Sequence, residues 1–315
     1  MSRRRALSIL LGLVAGAAAV GAGTLATRWT PELPPAALEM KYAGPASRFV
    51  EIAGARAHVR DEGPRDAPAL VLIHGATLSL HVWEPWAARL RGSMRVVSVD
   101  MPGHGLTGPW PRDDYGLAAN ADFIAALAAT LKLERFALAG HSLGGAAAWT
   151  YAARRPPELT HLVLVAGSAY PPDAPPSLRA RWLRAPVVGE IAAGLRDDAT
   201  MIAAFGGLYD PSWRVDPAAA TRYAELLRRE GNRGAQLRRA RTMPRLDPSP
   251  VREVAVPTLL LWGAADRWVP PRDGERLRGD IPGSRLVVYP KVGHMPMEEA
   301  ADATAAEVRA FLGGR

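Results

Sequence analysis

Ser142 stands in Gly140-His141-Ser142-Leu143-Gly144, directly after the apolar run 136–139 and directly before the small-residue run 145–148. That order reads strand, sharp turn, helix. A serine on such a turn has its hydroxyl thrust out of the fold, and the two glycines let strand and helix backbones pass without a Cβ clash. The free N–H groups of the helix start, that of Leu143 first, face any negative charge that forms beside the serine. Serine alone is a poor nucleophile at neutral pH. It needs a histidine to take its proton and a carboxylate to hold that histidine in the right tautomer. Asp266 follows the apolar run 258–262 and Gly263-Ala264-Ala265, and His294 follows the run 286–289 and Pro290-Lys291-Val292-Gly293. Both fall in loops just past strands, where a rigid sheet carries catalytic groups.

The elements that must position these residues alternate along the chain. Apolar runs at 70–73, 96–99, 136–139, 162–165, 258–261 and 286–289 predict central strands, separated by amphipathic segments such as 117–131 and 304–312. Segments 49–52 and 57–61 predict an antiparallel opening pair. This alternation implies an α/β fold with a mostly parallel central sheet flanked by helices.

The chain resembles the α/β-hydrolase superfamily. The matching pieces are Val71-Leu72-Ile73-His74-Gly75-Ala76, Asp100-Met101-Pro102-Gly103-His104-Gly105, Gly140-His141-Ser142-Leu143-Gly144-Gly145, Trp262-Gly263-Ala264-Ala265-Asp266 and Gly293-His294. They run in family order from about residue 47 to the C-terminus, and the order Ser, Asp, His is the family's. The resemblance implies a second oxyanion donor in the backbone N–H of Ala76, beside that of Leu143. Thr77 is a neighbour able to add a hydroxyl contact, and His74 shapes the loop. The family implies packing and hydrogen bonding, not proton transfer, for His141.

The interval 168–250 breaks the alternation. It opens with Pro171-Pro172 and Pro175-Pro176, reads mostly helical and closes with Met243-Pro244 and Pro248-Ser249-Pro250. Its place is where capped relatives insert a lid, so the expected organisation is a hydrolase core at 47–167 and 251–315 with a helical cap at 168–250. Trp182, Phe205, Tyr209 and Trp213 are candidate lining for an apolar substrate pocket, with Met295 at its mouth; the bland alternative is that these aromatics pack the cap onto the core. The cap arginines suit either an anionic partner or a solvated face interleaved with Glu225 and Glu230.

Composition bounds the rest. The chain has 315 residues, no cysteine and a formal charge of +8 carried by arginine, since lysine occurs only at Lys41, Lys132 and Lys291. Disulfides and thiolate metal sites are excluded. No nucleic-acid module accompanies the charge. Segment 1–30 is set apart: Arg3-Arg4-Arg5, an apolar Gly/Ala-rich stretch at 6–26, then Pro31, Pro34 and Pro35. It reads as either a cleaved signal peptide or a membrane anchor, with export to the periplasmic or extracellular side.

Gly103-His104-Gly105-Leu106-Thr107-Gly108 formally matches a dinucleotide-binding loop, but Pro102, Pro109 and Pro111 prevent a helix from starting there, so no cofactor is expected. Asp100 reads as a turn-fixing residue, not the catalytic acid. The histidines outside Ser142's set show no metal-ligand spacing, so no metal is expected. The expectation is a monomeric serine hydrolase acting on a small-molecule carboxylic ester, thioester or lactone through an acyl-enzyme. The alternatives are C–C bond hydrolysis, perhydrolysis or acyl transfer by the same residues, and remotely a non-catalytic tethered binding protein. The family's ring-cleavage hydrolases place tryptophan after the catalytic histidine; Met295 stands there here.

Overall fold

The computed structural model describes residues 27–172, 175, 178–243 and 245–313. The expected signal or anchor at 6–26 lies outside the described residues. Eight strands form one sheet: β1 (Ser47–Ile52), β2 (Ala55–Glu62), β3 (Ala69–Ile73), β4 (Arg95–Val99), β5 (Phe136–His141), β6 (Leu159–Val165), β7 (Thr258–Gly263) and β8 (Arg285–Tyr289). Their order is β1-β2-β4-β3-β5-β6-β7-β8. The β1–β2 and β2–β4 pairings are antiparallel and the other pairings parallel.

Strand periodicity makes the two layers of core. Val71, Ile73, Leu138, Leu162 and Leu164 point to one face, where they meet helices α3 (Leu117–Thr130) and α4 (Leu143–Ala152). Leu70, Leu72, Val163, Leu259 and Leu261 point to the other, against Trp83, Trp86 and Val308. Trp86 belongs to α2 (Glu84–Leu90) and Val308 to α12 (Ala301–Gly313). Because both faces are covered, the central strands read as continuous apolar runs, which is why the sequence reveals them.

Among the described residues, five α-helices stand between β6 and β7, α5 (Leu178–Arg184), α6 (Val188–Gly194), α7 (Asp198–Gly206), α8 (Pro217–Leu227) and α9 (Asn232–Thr242), followed by a 3-10 turn at Ser249–Glu253. Between β7 and β8 lies α10 (Pro271–Asp280), and β8 is followed by the short α11 (Pro296–Glu299) and then α12.

The chain ahead of β1 is part of this body. Trp29 packs on Gly194, Thr30 N–H donates to the Gly194 carbonyl, and Leu33 forms a bridge with Arg229. Helix α1 (Pro35–Tyr42) then places Lys41 and Tyr42 on Glu225 at 2.8 and 2.7 Å. The segment set apart at 1–30 therefore overlaps the folded body at its last residues.

Candidate active site

Ser142, the loop after β3, Asp266 and His294 all follow the carboxyl ends of parallel strands. Strand order reverses between β3 and β5, since the chain runs from β3 outward to β4 and then returns to the other side of β3. Loops leaving adjacent strands in opposite directions open a crevice there, the usual ligand position of an open α/β sheet.

The Ser142 turn is strained in the way its sequence demands. Ser142 has φ 50° and ψ −116°, a conformation costly for a residue with a Cβ. It is held by three backbone bonds: Ser142 N–H to Val165 O at 3.1 Å, and Ser142 O from Ala146 N–H at 3.1 Å and Ser168 N–H at 3.0 Å. A Cβ at Gly140 would come within 2.3 Å of Gly144 O, and one at Gly144 within 2.4 Å of His74 O. The strand, the helix and the β3 loop approach each other only because both positions are glycine. The N–H of Leu143, first residue of α4, precedes the helical ladder and is free to serve a ligand.

His294 Nδ1 lies 2.7 Å from Asp266 Oδ2, and both side chains are buried. The other carboxylate oxygen, Oδ1, accepts from Trp268 N–H at 2.8 Å and Val269 N–H at 3.0 Å, so Asp266 is fixed in orientation. A carboxylate on Nδ1 places the neutral ring's proton there and leaves Nε2 as the basic nitrogen.

His141, from which hydrogen bonding is expected, and Glu299, outside the sequence-predicted set, hold this histidine. His141 Nε2 donates to the His294 carbonyl at 2.8 Å, with the two rings 4.6 Å apart. Burial, followed by the proximity of His294, keeps the His141 pKa well below the usual value, so the ring is neutral. Glu299 accepts from Gly293 N–H at 3.0 Å and Met295 N–H at 3.1 Å, bracketing His294 in the chain, and from Asp210 N–H at 2.8 Å. Burial pushes its carboxyl pKa up despite these bonds. The run Met295-Pro296-Met297 carries no sequence sign that an acid follows with this task.

In the loop after β3, His74 Nδ1 donates to Gly75 O at 2.7 Å while Nε2 accepts from Met101 N–H at 3.0 Å, a neutral ring with both nitrogens engaged. Thr77 Oγ1 donates to Ala76 O at 2.6 Å and fixes that peptide's direction. Asp100 is not bonded to His294: it accepts from His58 Nδ1 at 2.7 Å, Leu80 N–H at 2.7 Å and Leu106 N–H at 2.8 Å, with His74 Nε2 4.0 Å away. Burial alone would raise its pKa, yet His58, then His74 and His81, hold it well below the usual carboxylate range. The loop 103–108 closes on itself through Gly103 N–H to Gly108 O at 2.6 Å.

The candidate pocket residues are scattered. Phe205 packs on the Tyr223 ring and Tyr209 donates to Glu298 Oε2 at 2.5 Å, so both are drawn into packing between the inserted helices and α11. Met295 is wholly enclosed, while Trp182 and Trp213 are 61% and 42% exposed. None of these five lines the cavity that the inserted helices enclose; Thr77 does.

Residues 70–307 match the sequence profile described as "Alpha/beta hydrolase family". A pimeloyl-[acyl-carrier protein] methyl ester esterase of Neisseria meningitidis serogroup B is 34% identical over 272 residues, covering 82% of this chain and 98% of that protein. Among solved structures, a membrane phospholipase A described as a novel bacterial virulence factor superposes with TM-score 0.71 at 26% identity, covering 99% of each chain. The enol-lactonase of Burkholderia xenovorans superposes with TM-score 0.73 at 22% identity, covering 84% of this chain and all of that one, a likeness of fold.

Proposed function

The chain belongs to the alpha/beta hydrolase family and is a hydrolase, and on that premise we propose that it cleaves a carboxylic ester through an acyl-enzyme on Ser142. The observation that carries this reading is the 2.7 Å pairing of Asp266 with His294 Nδ1, joined through the His141–His294 hydrogen bond to the strained strand-to-helix turn that bears Ser142.

His294 Nε2 takes the Ser142 proton as the hydroxyl attacks the ester carbonyl, and Asp266 stabilises the imidazolium that forms. The N–H groups of Leu143 and Ala76 hold the oxyanion, each donor worth about two to three powers of ten in rate. His294 then gives its proton to the leaving alcohol, and the acyl group stays on Ser142. In the second half His294 activates water, which attacks the acyl carbon and releases the acid. The five inserted α-helices act as a cap over this site.

Supporting an ester are the esterase named at 34% identity and the phospholipase named at 26%, both of which break ester bonds by their names. The apolar stretch at 6–26, with three arginines ahead of it, supports an exported enzyme, secreted or held at a membrane by that stretch. Among the described residues no helix is long and apolar enough to cross a membrane.

The test is steady-state hydrolysis of p-nitrophenyl esters from two to twelve acyl carbons by wild type and by Ser142→Ala. Turnover that peaks at one length and vanishes in the variant establishes the esterase. Absence of serine-dependent turnover at every length refutes it and directs attention to C–C cleavage and acyl transfer.

A further inference from the structure

The inserted helices and the loop after β3 enclose a cavity of about 170 Å³. Its apolar wall comes from Met201, Leu227 and Leu237, and Thr77 closes it on the β3 side. Four arginines also line it, Arg196, Arg228, Arg233 and Arg239, and no aspartate or glutamate does.

These cations are not equivalent. Arg228 is paired with Asp198 at 2.6 Å, and Arg233 donates to the Thr30 carbonyl at 3.0 Å. Arg239 donates from Nη2 to Gln236 Oε1 at 2.9 Å, but its Nε is buried without a hydrogen-bond partner among the described residues. No described carboxylate pairs with it. Burial lowers its pKa to about 10, which still leaves it charged at neutral pH. A half-buried guanidinium with a buried, unbonded Nε and no described carboxylate partner gains by acquiring an anion there. A guanidinium fork matches a carboxylate or phosphate in two parallel bonds.

The cavity adjoins the proposed catalytic centre. Thr77 follows Ala76 and stands two residues beyond Gly75, where a Cβ would come within 3.1 Å of the Ser142 Cβ. Two residues span at most about 7 Å, so the cavity wall begins within that distance of the backbone that abuts the nucleophile.

We propose that this cavity is an anion subsite of the ester-binding site, in which Arg239 takes a carboxylate or phosphate carried by the substrate. The proposal rests on the esterase reading of Ser142. Met201, Leu227 and Leu237 accept the methylenes that link the anion to the ester.

The test compares phenyl esters of six-carbon acids whose far end is methyl, carboxamide, carboxylate or phosphate monoester. A second series carries the same four groups on the alcohol. In one series the wild-type kcat/KM for an anionic ester exceeds that of the matched carboxamide by about tenfold or more. That ratio falls toward one in Arg239→Gln and is partly restored in Arg239→Lys. Ratios are read within each protein, so loss of folded enzyme cancels. The stronger of the two anions identifies the source. Neutral esters turned over with no anionic preference in either series would overturn the subsite and leave the esterase standing. If no ester shows Ser142-dependent turnover, the esterase reading fails, and calorimetric titration with hexanoate and with inorganic phosphate decides the cavity alone. Binding that Arg239→Gln abolishes keeps it as an anion site; no binding removes it.

Discussion

His141 Nε2 donates to the backbone carbonyl of His294 across 153 residues of sequence, at 2.8 Å. The Ser142 turn and the His294 loop are thereby one hydrogen-bonded unit, with Ser142 next in the chain to the donor and the imidazole of His294 borne by the acceptor. His141→Phe keeps the ring volume and leaves a buried carbonyl unpaired, which costs about 1–3 kcal/mol. A base shifted by even about 1 Å costs up to 100-fold in rate. The expected result is a lower unfolding midpoint together with a fall in kcat on p-nitrophenyl esters and little change in KM. Unchanged kcat and midpoint would show that the bond positions nothing.

Within the proposed triad, the two acidic and nucleophilic positions fail differently. Ser142→Ala removes the attacking atom and lowers kcat by about 10⁴- to 10⁶-fold. Asp266→Asn keeps the shape but favours the wrong histidine tautomer, a loss of about 10⁴-fold. Stopped-flow detection of the nitrophenolate burst separates them: Ser142→Ala shows none, and Asp266→Asn shows a slow one. A rapid burst from Ser142→Ala would place the nucleophile elsewhere.

Asp100 is expected to matter for stability and not for chemistry. Its oxygens serve a buried histidine and two backbone N–H groups, so Asp100→Ala strands three donors and is expected to cost about 3–5 kcal/mol. Denaturant titration reads that loss. The fraction that remains folded turns over with near wild-type kcat. A variant of native stability and no activity would instead make Asp100 the acid of the triad.

The positions of Ser142, Asp266 and His294 are legible in the sequence because each follows an apolar run that forms a strand, wholly buried in β5 and β7 and half-exposed at the sheet edge in β8. The eight strands fall within three residues of their expected limits. Glu299, His141 and Arg239 matter through partners that folding brings to them. No local pattern marks a glutamate that accepts the N–H groups on either side of His294. The aromatics of the inserted helices suggested an apolar pocket, yet helical spacing alone does not say which face turns inward. Tyr209 and Tyr223 are claimed by Glu298, and the enclosed space is left to leucine, methionine and arginine.

Glu298 ties the inserted helices to α11, and its burial sets the sign of the pH dependence expected of the fold. Its oxygens accept from Tyr209 at 2.5 Å and Tyr223 at 2.7 Å, and burial, outweighing those bonds, pushes its pKa above the usual value. The unfolded carboxyl ionises near 4.5. Below that pH both states hold the proton and the contribution to stability is fully present. As pH rises from 4.5 through the raised folded value, the unfolded chain ionises first, the folded state lags, and stability is lost. Glu298→Gln holds no such proton, and a tyrosine hydroxyl that faces the amide nitrogen can turn to accept. Thermal midpoints measured from pH 4 to pH 8 are therefore expected to show wild type losing stability relative to Glu298→Gln as pH rises. A difference that runs the other way would mean that the carboxylate form is the one the two tyrosines stabilise, and that Glu298 is ionised in the folded enzyme.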